Sequence, residues 1–382
     1  MKILHIIENL DENYGGPAKS VPFLVKYLDI LGIENIIFTT QFNQNERNYV
    51  IEDNNINIKK FPIKYMKKLR YCYNLKQSIH QEITKDTIIH IHTLWTYPAY
   101  VGYRSAKKFN IPVVVSTRGM LYDWALKQNS FIKQIAMLFF QKSLLKLASA
   151  IHITEPGEQT PLERLGIANK SILIPNGIDL EEFSQLSRIN SKKNLNLNLT
   201  KNYVLFLSRI HPKKGLIHLV NAWVSLSSSY KNWDILVVGP VDDNNYFQQV
   251  TSILKNQSLS DRVIFTGMLS GKFRLNAFSA SSLFVLPSYS ENFGIVIAEA
   301  LASKLPVITT TETPWRSIKE NSAGWWVDIN EEEIRNALSD ALSCSQQELE
   351  QKGKNGFKII RDYKWSSQSK KMLDLYQKII EA

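Results

Sequence analysis

Cysteine is nearly absent. Only Cys72 and Cys344 occur in 382 residues, far apart and at no metal or redox spacing, which argues against a disulfide scaffold and predicts a reduced, cytoplasmic setting. Long apolar runs are missing too: nothing approaches the roughly 18 to 20 residues that a transmembrane helix requires. The start, MKILHIIENLDEN, has one basic residue, a short apolar run and then acids, the pattern of a first strand rather than a secretory signal. The expectation is a protein in solution or on a membrane surface. No short-period repeat occurs, which argues against a solenoid. There is no G-x-G-x-x-G, and no D-x-D, which weakens any scheme in which such a pair of acids holds a metal against a ligand. Acid is scarce in the first half: residues 1–175 hold 22 Lys+Arg against 14 Asp+Glu, a net +8 of the chain's +11. That half is expected to face something anionic. Seven basic residues (Lys59, Lys60, Lys64, Lys67, Lys68, Arg70, Lys76) fall between 59 and 76 without an acid; an ordinary solvated face is the other reading of this run.

What is present is a repeated alternation of short apolar runs and helical patterns. At 382 residues and 44% apolar, the chain has room for two domains with separate cores. KILHIIEN, NIIFTT, TIIHIHT, PVVVST and SAIHITE read as strands, with a helix over 17–31, and SILIPNGID closes this first series at a turn. YVLFLSR, DILVVGP, RVIFTG, LFVLPS and LPVITT form a second series. Between them, residues 184–202 are Asn/Ser/Lys-rich and aperiodic and read as linker. The fold class is therefore α/β, with two Rossmann-like doubly wound parallel-sheet domains. Ligands of such sheets bind at the carboxyl ends of the strands, so an interdomain cleft is expected, with its polar residues just after strands.

Those positions hold chemistry. SRIHPKKG places Arg209 after a strand and Lys214 before a helix, a planar fork and a point charge suited to a diphosphate; a basic βα loop without a ligand is the alternative. Gly15 and Gly16 precede the first helix, where bare backbone and the helix start favour an anion, although an ordinary tight turn fits equally. In SENFGIVIAEAL, Glu291 stands before Gly294 and Glu299 sits inside an apolar helix. A dry carboxylate costs several kcal/mol unless it is answered, by ligand hydroxyls or by an internal Arg or Lys. His90 and His92 share a strand face; lacking a third ligand nearby in sequence, they read as satisfied strand-end histidines or hydrogen-bond partners in the cleft rather than a metal site. FIKQIAMLFFQKSLLKLAS, residues 131–149, is basic and apolar. It reads as an interior helix because nearly all its faces are apolar, with membrane contact as the second reading.

SRIHPKKG, FTGML, SENFGIVIAEAL, IPNGID and the amino-terminal GGPA, in this order, resemble a retaining glycosyltransferase of the GT-B fold, family 4, along nearly the whole chain. The resemblance implies an acceptor-side domain at 1–180, joined by a carboxyl-terminal helix at 363–382 that crosses back, a linker at 181–202, and a nucleotide-sugar domain at 203–362. It implies that Arg209 and Lys214 hold the diphosphate, that Glu299 holds the ribose and Glu291 the transferred sugar. Amides around Asn292, Phe293 and Gly294 would line sugar and phosphates, backbone near Leu269 would meet the base, and Gly15 and Gly16 would lie beside donor phosphate and acceptor. Many members carry a histidine where VVVSTRGML has Arg118. Arginine stays protonated and cannot be a general base, so Arg118 is expected to bind sugar, phosphate or an anionic acceptor, with His92 as the substitute for the missing histidine.

The implied activity is metal-independent transfer of a hexose-type sugar from a UDP- or GDP-linked donor to a glycan acceptor, polyprenyl-diphosphate-linked, in bacterial O-antigen, capsule or exopolysaccharide synthesis. No further cofactor and no nucleic-acid partner is expected, and the inner face of the plasma membrane is the expected place of work. A hydrolysing epimerase on the same fold, or a binder without turnover, remains the alternative.

Overall fold

The computed structural model describes residues 1–11, 15–42, 56–127, 130–183 and 186–382. The chain divides into two compact units, Met1–Gly177 with Trp365–Ala382, and Ile178–Lys364. Each is an α/β unit built on one sheet.

The sheet of the first unit has eight strands: β1 (Lys2–Ile6), β2 (Glu34–Gln41), β3 (Ile58–Tyr65), β4 (Tyr71–Cys72), β5 (Thr87–Ile91), β6 (Val113–Ser116), β7 (Ala150–Ile153) and β8 (Ser171–Leu173). Their order is β4-β3-β2-β1-β5-β6-β7-β8. All neighbours are parallel except β3 and β4. The central strands are covered on both faces and are correspondingly rich in Ile and Val. Register decides what meets inside: His5 of β1 lies beside His90 of β5, and Ser116 of β6 beside His152 of β7. The helices Gly16–Ile30 and Trp365–Glu381 share one core, in which the rings of Phe23 and Trp365 stack at 6.1 Å.

The second unit has six parallel strands: β9 (Asn202–Leu207), β10 (Trp233–Val238), β11 (Val263–Gly267), β12 (Leu283–Leu286), β13 (Val307–Thr310) and β14 (Gly324–Val327). They are ordered β11-β10-β9-β12-β13-β14. The order reverses direction at β9 and β12, so the loops after these strands flank the crevice where such sheets take ligands.

The stretch expected to be a structureless linker, 184–202, holds a helix at Arg188–Asn194; its residues 184 and 185 lie outside the described residues. The helix forms because its neighbours complete it. Ser191 Oγ donates to Asn276 Oδ1 at 3.0 Å, and buried Lys192 donates to the carbonyls of Leu199 and Lys201 at 3.1 and 2.6 Å. Tertiary contact thus overrides weak local propensity. Residues 131–149 also differ from the interior helix expected: helical segments run over Ser130–Ala136, Met137–Gln141 and Lys142–Leu147, and one side faces solvent.

Candidate functional site

In the second unit, the loops after β9 and β12 bring the sequence-predicted residues together. Arg209 follows β9, and Lys214 closes the single turn Pro212–Lys214. Gly215 has φ +69°, and a Cβ there would lie 1.9 Å from the Pro287 carbonyl oxygen; only glycine lets the two loops approach so closely. The contact is reinforced by Tyr289 N donating to the Lys213 carbonyl at 2.8 Å. Lys214 Nζ donates to Glu291 Oε1 at 2.5 Å, with 14% and 11% of the two side chains exposed. Arg209 pairs with Asp242 at 2.6 Å on the open side. Lys213, which sequence reasoning passed over although it stands in the same HPKKG, belongs to this group. Its ammonium is pushed down to about 8, mainly by burial and further by Lys214 and Arg209, with Glu291 opposing. Three cations, Arg209, Lys213 and Lys214, thus gather with two carboxylates, Glu291 and Asp242, at these strand ends, an excess of positive charge that favours a polyanion.

Gly294, at φ +71°, starts the helix Ile295–Ala302, and the loop before it is fixed by Trp315 Nε1 donating to the Phe293 carbonyl at 2.6 Å. Asn292 and Phe293 lie in this loop beside Glu291, and Leu269 follows β11, partly buried against the core. Glu299 is fully covered, and its carboxylate accepts from the Arg274 guanidinium of the helix Gly271–Ala280. The internal pairing considered for this acid is present, and Arg274 was not singled out in the sequence. A carboxylate offers four lone-pair sites, so this pair alone does not exhaust it.

In the first unit, Gly15 (φ +105°) caps the helix Gly16–Ile30; residues 12–14 of the ENLDENYGG stretch lie outside the described residues. Arg118 follows β6 in a left-handed turn, φ +47°. That turn is held by buried Glu158, which accepts from Thr117 Oγ1 at 2.5 Å and Gly119 N at 2.7 Å with one oxygen. Its other oxygen accepts from Thr154 N at 2.8 Å and Thr154 Oγ1 at 2.9 Å. Nothing in the sequence marked Glu158, since the two partners that tie it to the Arg118 turn, Thr117 and Gly119, stand 41 and 39 residues before it. Arg118 Nη1 donates to Ser20 Oγ at 2.9 Å, one turn into the glycine-led helix, and Nη2 donates to His92 Nδ1 at 3.1 Å. Burial lowers the guanidinium to about 10, with Glu158 opposing. It stays cationic at neutral pH.

The histidines form two directional chains. Arginine only donates, so His92 Nδ1 must accept; His92 Nε2 then donates to His5 Nδ1 at 2.9 Å, and His5 Nε2 to Asn35 Oδ1 at 3.0 Å. Asn35 in turn donates to Asp29 at 2.6 Å. The second chain is fixed by a backbone carbonyl at its end. His152 Nε2 donates to the Ile174 carbonyl at 2.7 Å, Ser116 Oγ donates to His152 Nδ1 at 2.7 Å, His90 Nε2 to Ser116 at 2.7 Å, and the Tyr376 hydroxyl to His90 Nδ1 at 2.6 Å. All four imidazoles are buried and neutral. Burial lowers His5 to about 4 and His152 to about 3, and takes His90 and His92 well below the usual value. Nitrogens of His5, His90 and His92 lie within 4.8 Å of one another, but a cation there would have to break these bonds. His92, with both nitrogens engaged and no exposed surface, orients Arg118 and in this geometry offers no lone pair to a substrate.

Comparison with known proteins followed the same division. Residues 14–182 match the description Glycosyltransferase Family 4, and residues 187–359 match Glycosyl transferases group 1. A phosphatidyl-myo-inositol mannosyltransferase of Mycobacterium leprae is 23% identical over 260 residues, 65% of each chain. The chain thus spans about two thirds of the length of the curated relatives it matches. Among solved structures, a sucrose-phosphate synthase of Thermosynechococcus elongatus superposes with TM-score 0.83 at 21% identity, covering 100% of this chain and 99% of the other. Anabaena HepE in complex with UDP and glucose gives 0.80 at 18% identity, covering 99% and 100%. At these identities the likeness is one of fold. With both units matched in sequence and the two-sheet architecture in place, the chain belongs to the family 4, group 1 glycosyltransferases of the GT-B fold.

Proposed function

We propose that this protein is a retaining glycosyltransferase that takes a hexose-type sugar from a UDP- or GDP-linked donor. The observation that carries the reading is the charged cluster of the second unit, where Lys214 pairs with Glu291 beside the glycine-led helix start, with Lys213 alongside and Arg209 held by Asp242. Breaking the anomeric bond builds negative charge on the leaving diphosphate. Arg209, Lys214 and the amides near Asn292, Phe293 and Gly294 answer that charge, more strongly in the transition state than in the ground state. The diphosphate displaces the Lys214–Glu291 pair, so Lys214 turns to phosphate and Glu291 to sugar hydroxyls. Glu299, oriented by Arg274, serves the ribose, and backbone near Leu269 the base. In the first unit, Gly15, Gly16 and Arg118 receive an anionic part of the acceptor.

The acceptor is a lipid-linked glycan, polyprenyl-diphosphate in type, of a bacterial surface polysaccharide, and the protein works at the inner face of the plasma membrane. The basic first half supports this, as does a relative named for a phosphatidyl-inositol acceptor. The test is a thermal-shift panel of UDP, GDP, ADP and their sugars, followed by incubation with acceptor. A ligand at a hundred times its Kd stabilises the fold by about 2.7 kcal/mol. Sugar appearing on acceptor supports transfer; free altered sugar, or no nucleotide binding at all, overturns it.

A further inference from the structure

The segment 130–147 has a division of faces that its sequence conceals. Met137, Phe140, Gln141, Leu144 and Leu145 recur at helical spacing and turn inward, and Gln141 Oε1 accepts from Trp95 N at 3.1 Å. Phe131, Ile135, Leu138 and Phe139 recur on the opposite face and stand in solvent, 73%, 39%, 84% and 81% exposed. A five-residue π turn, Met137–Gln141, holds two of them; such turns recur at functional sites. Farther along this outer face come Lys142 and Lys146, both exposed. Four lysines and no acid occur between residues 124 and 154. Large apolar tips beside unopposed positive charge are the composition of a helix that lies in a lipid interface.

A second basic and apolar edge adjoins it. The helix Tyr97–Phe109 touches this segment through Tyr100, whose ring lies 5.4 Å from that of Phe140. Its first residue, Tyr97, lies 4.7 Å from Tyr71. Just before Tyr71, Tyr65 and Met66 are each 63% exposed, among the exposed Lys64, Lys67 and Lys68.

We propose that Phe131, Ile135, Leu138 and Phe139, with Lys142 and Lys146, form a docking face for anionic phospholipid. The apolar tips enter the boundary between headgroups and acyl chains, and the ammonium groups meet lipid phosphates. The inference deepens the membrane side of the reading above. A bilayer suits the face better than a second copy of the chain does. In a two-fold contact the patch meets itself, so the same lysines would oppose one another in a chain that already carries +11. Nucleic acid fits less well: Phe131 and Phe139 can stack on bases, but Ile135 and Leu138 between them are aliphatic and gain only from an apolar phase.

The test is co-sedimentation of the full chain with vesicles, without donor or acceptor, so that its outcome is separate from that of sugar transfer. Vesicles of phosphatidylcholine with about one third phosphatidylglycerol should bind the protein, at least roughly tenfold more tightly than phosphatidylcholine alone, and salt should weaken the binding. Leu138→Asp with Phe139→Asp should lower binding about tenfold or more in both lipids, while the melting curve stays unchanged because both side chains are already in solvent. Lys142→Gln with Lys146→Gln should remove the phosphatidylglycerol preference in part, roughly fivefold per lysine, and flatten the salt dependence. Wild-type protein left in the supernatant at low salt overturns the proposal, and so does an Asp variant that binds as wild type does. A dimer in light scattering that the Asp variant abolishes, without vesicle binding, assigns the face to self-association. A gel shift with RNA lost in the same variant assigns it to nucleic acid.

Discussion

Acid should unfold the first unit ahead of the second, because four neutral imidazoles are sealed inside it. An imidazole whose folded value lies below its unfolded value must gain a proton on unfolding, so stability is lost as pH falls below about 6.5. His5 at about 4 and His152 at about 3, with His90 and His92 also well below the usual value, remain neutral in the fold at pH 5. Each then costs about 2 kcal/mol at pH 5, and the four together about 8 kcal/mol. Three acids act in the opposite direction: Asp29, raised by burial against the pull of its Asn35 hydrogen bond, and two glutamates raised further. Burial raises Glu8 to about 7 against the pull of Arg70, and raises Glu155 to about 7. Folding takes up their protons as pH falls from 7 toward 4.5, which returns about 2 kcal/mol each at pH 5. The net loss is about 4 kcal/mol, or a drop of about 10 °C in the melting of a unit this size. Calorimetry at pH 7 and pH 5 reads it, with the first unit's transition identified as the one that Tyr376→Phe lowers, since that variant removes the donor to His90. Glu8→Gln with Glu155→Gln takes away the two opposing glutamates, and the acid loss should roughly double. If that double variant melts within a few degrees at the two pH values, the imidazoles are not neutral and sealed, and the directional chains are wrong.

Other consequences are local. Glu299→Leu leaves Arg274 buried without its carboxylate and should cost about 3 to 5 kcal/mol in urea unfolding, most of it recovered when Arg274→Met is added. Gly215→Ala forces a Cβ against the Pro287 carbonyl at positive φ and should cost about 3 kcal/mol or more, read as lost soluble yield and a lower melting temperature. Arg209→Ala breaks a half-exposed pair, so stability should change by less than about 1 kcal/mol while the thermal shift given by a nucleoside diphosphate is lost; an unchanged shift would count against its phosphate role. Lys214→Ala should lower sugar transfer at least about a hundredfold in folded protein, and a wild-type rate would remove the lysine from the mechanism.

Legibility followed the range of the interaction. Strands such as KILHI, VVVS and NYVLFL carry their assignment in consecutive apolar residues, because a parallel strand is buried on both faces. HPKKG and ENFG show a loop and a helix start for the same reason: glycine at positive φ acts within a few residues. What stayed hidden depends on partners far along the chain. Glu158 looks like any acid in EPGEQT until the fold brings Thr117 and Gly119 to it, and Arg274 is one cation among 46 until its helix crosses Glu299. The histidine pair shows the distinction most sharply. Their shared strand face is visible in IIHIH, but whether they bind metal, take protons or hold Arg118 depends on what each nitrogen meets. Those partners are His5, Ser116 and Tyr376, on other strands and on the last helix, with Arg118 in the turn after β6. The same reasoning explains segment 131–149. Its periodicity contains a valid inner face, and the absence, among the described residues, of a covering element over Leu138 and Phe139 leaves the remaining apolar residues as surface rather than core. Burial belongs to the assembled unit, so an all-apolar helix states how much surface wants covering and leaves open whether the protein itself supplies the cover.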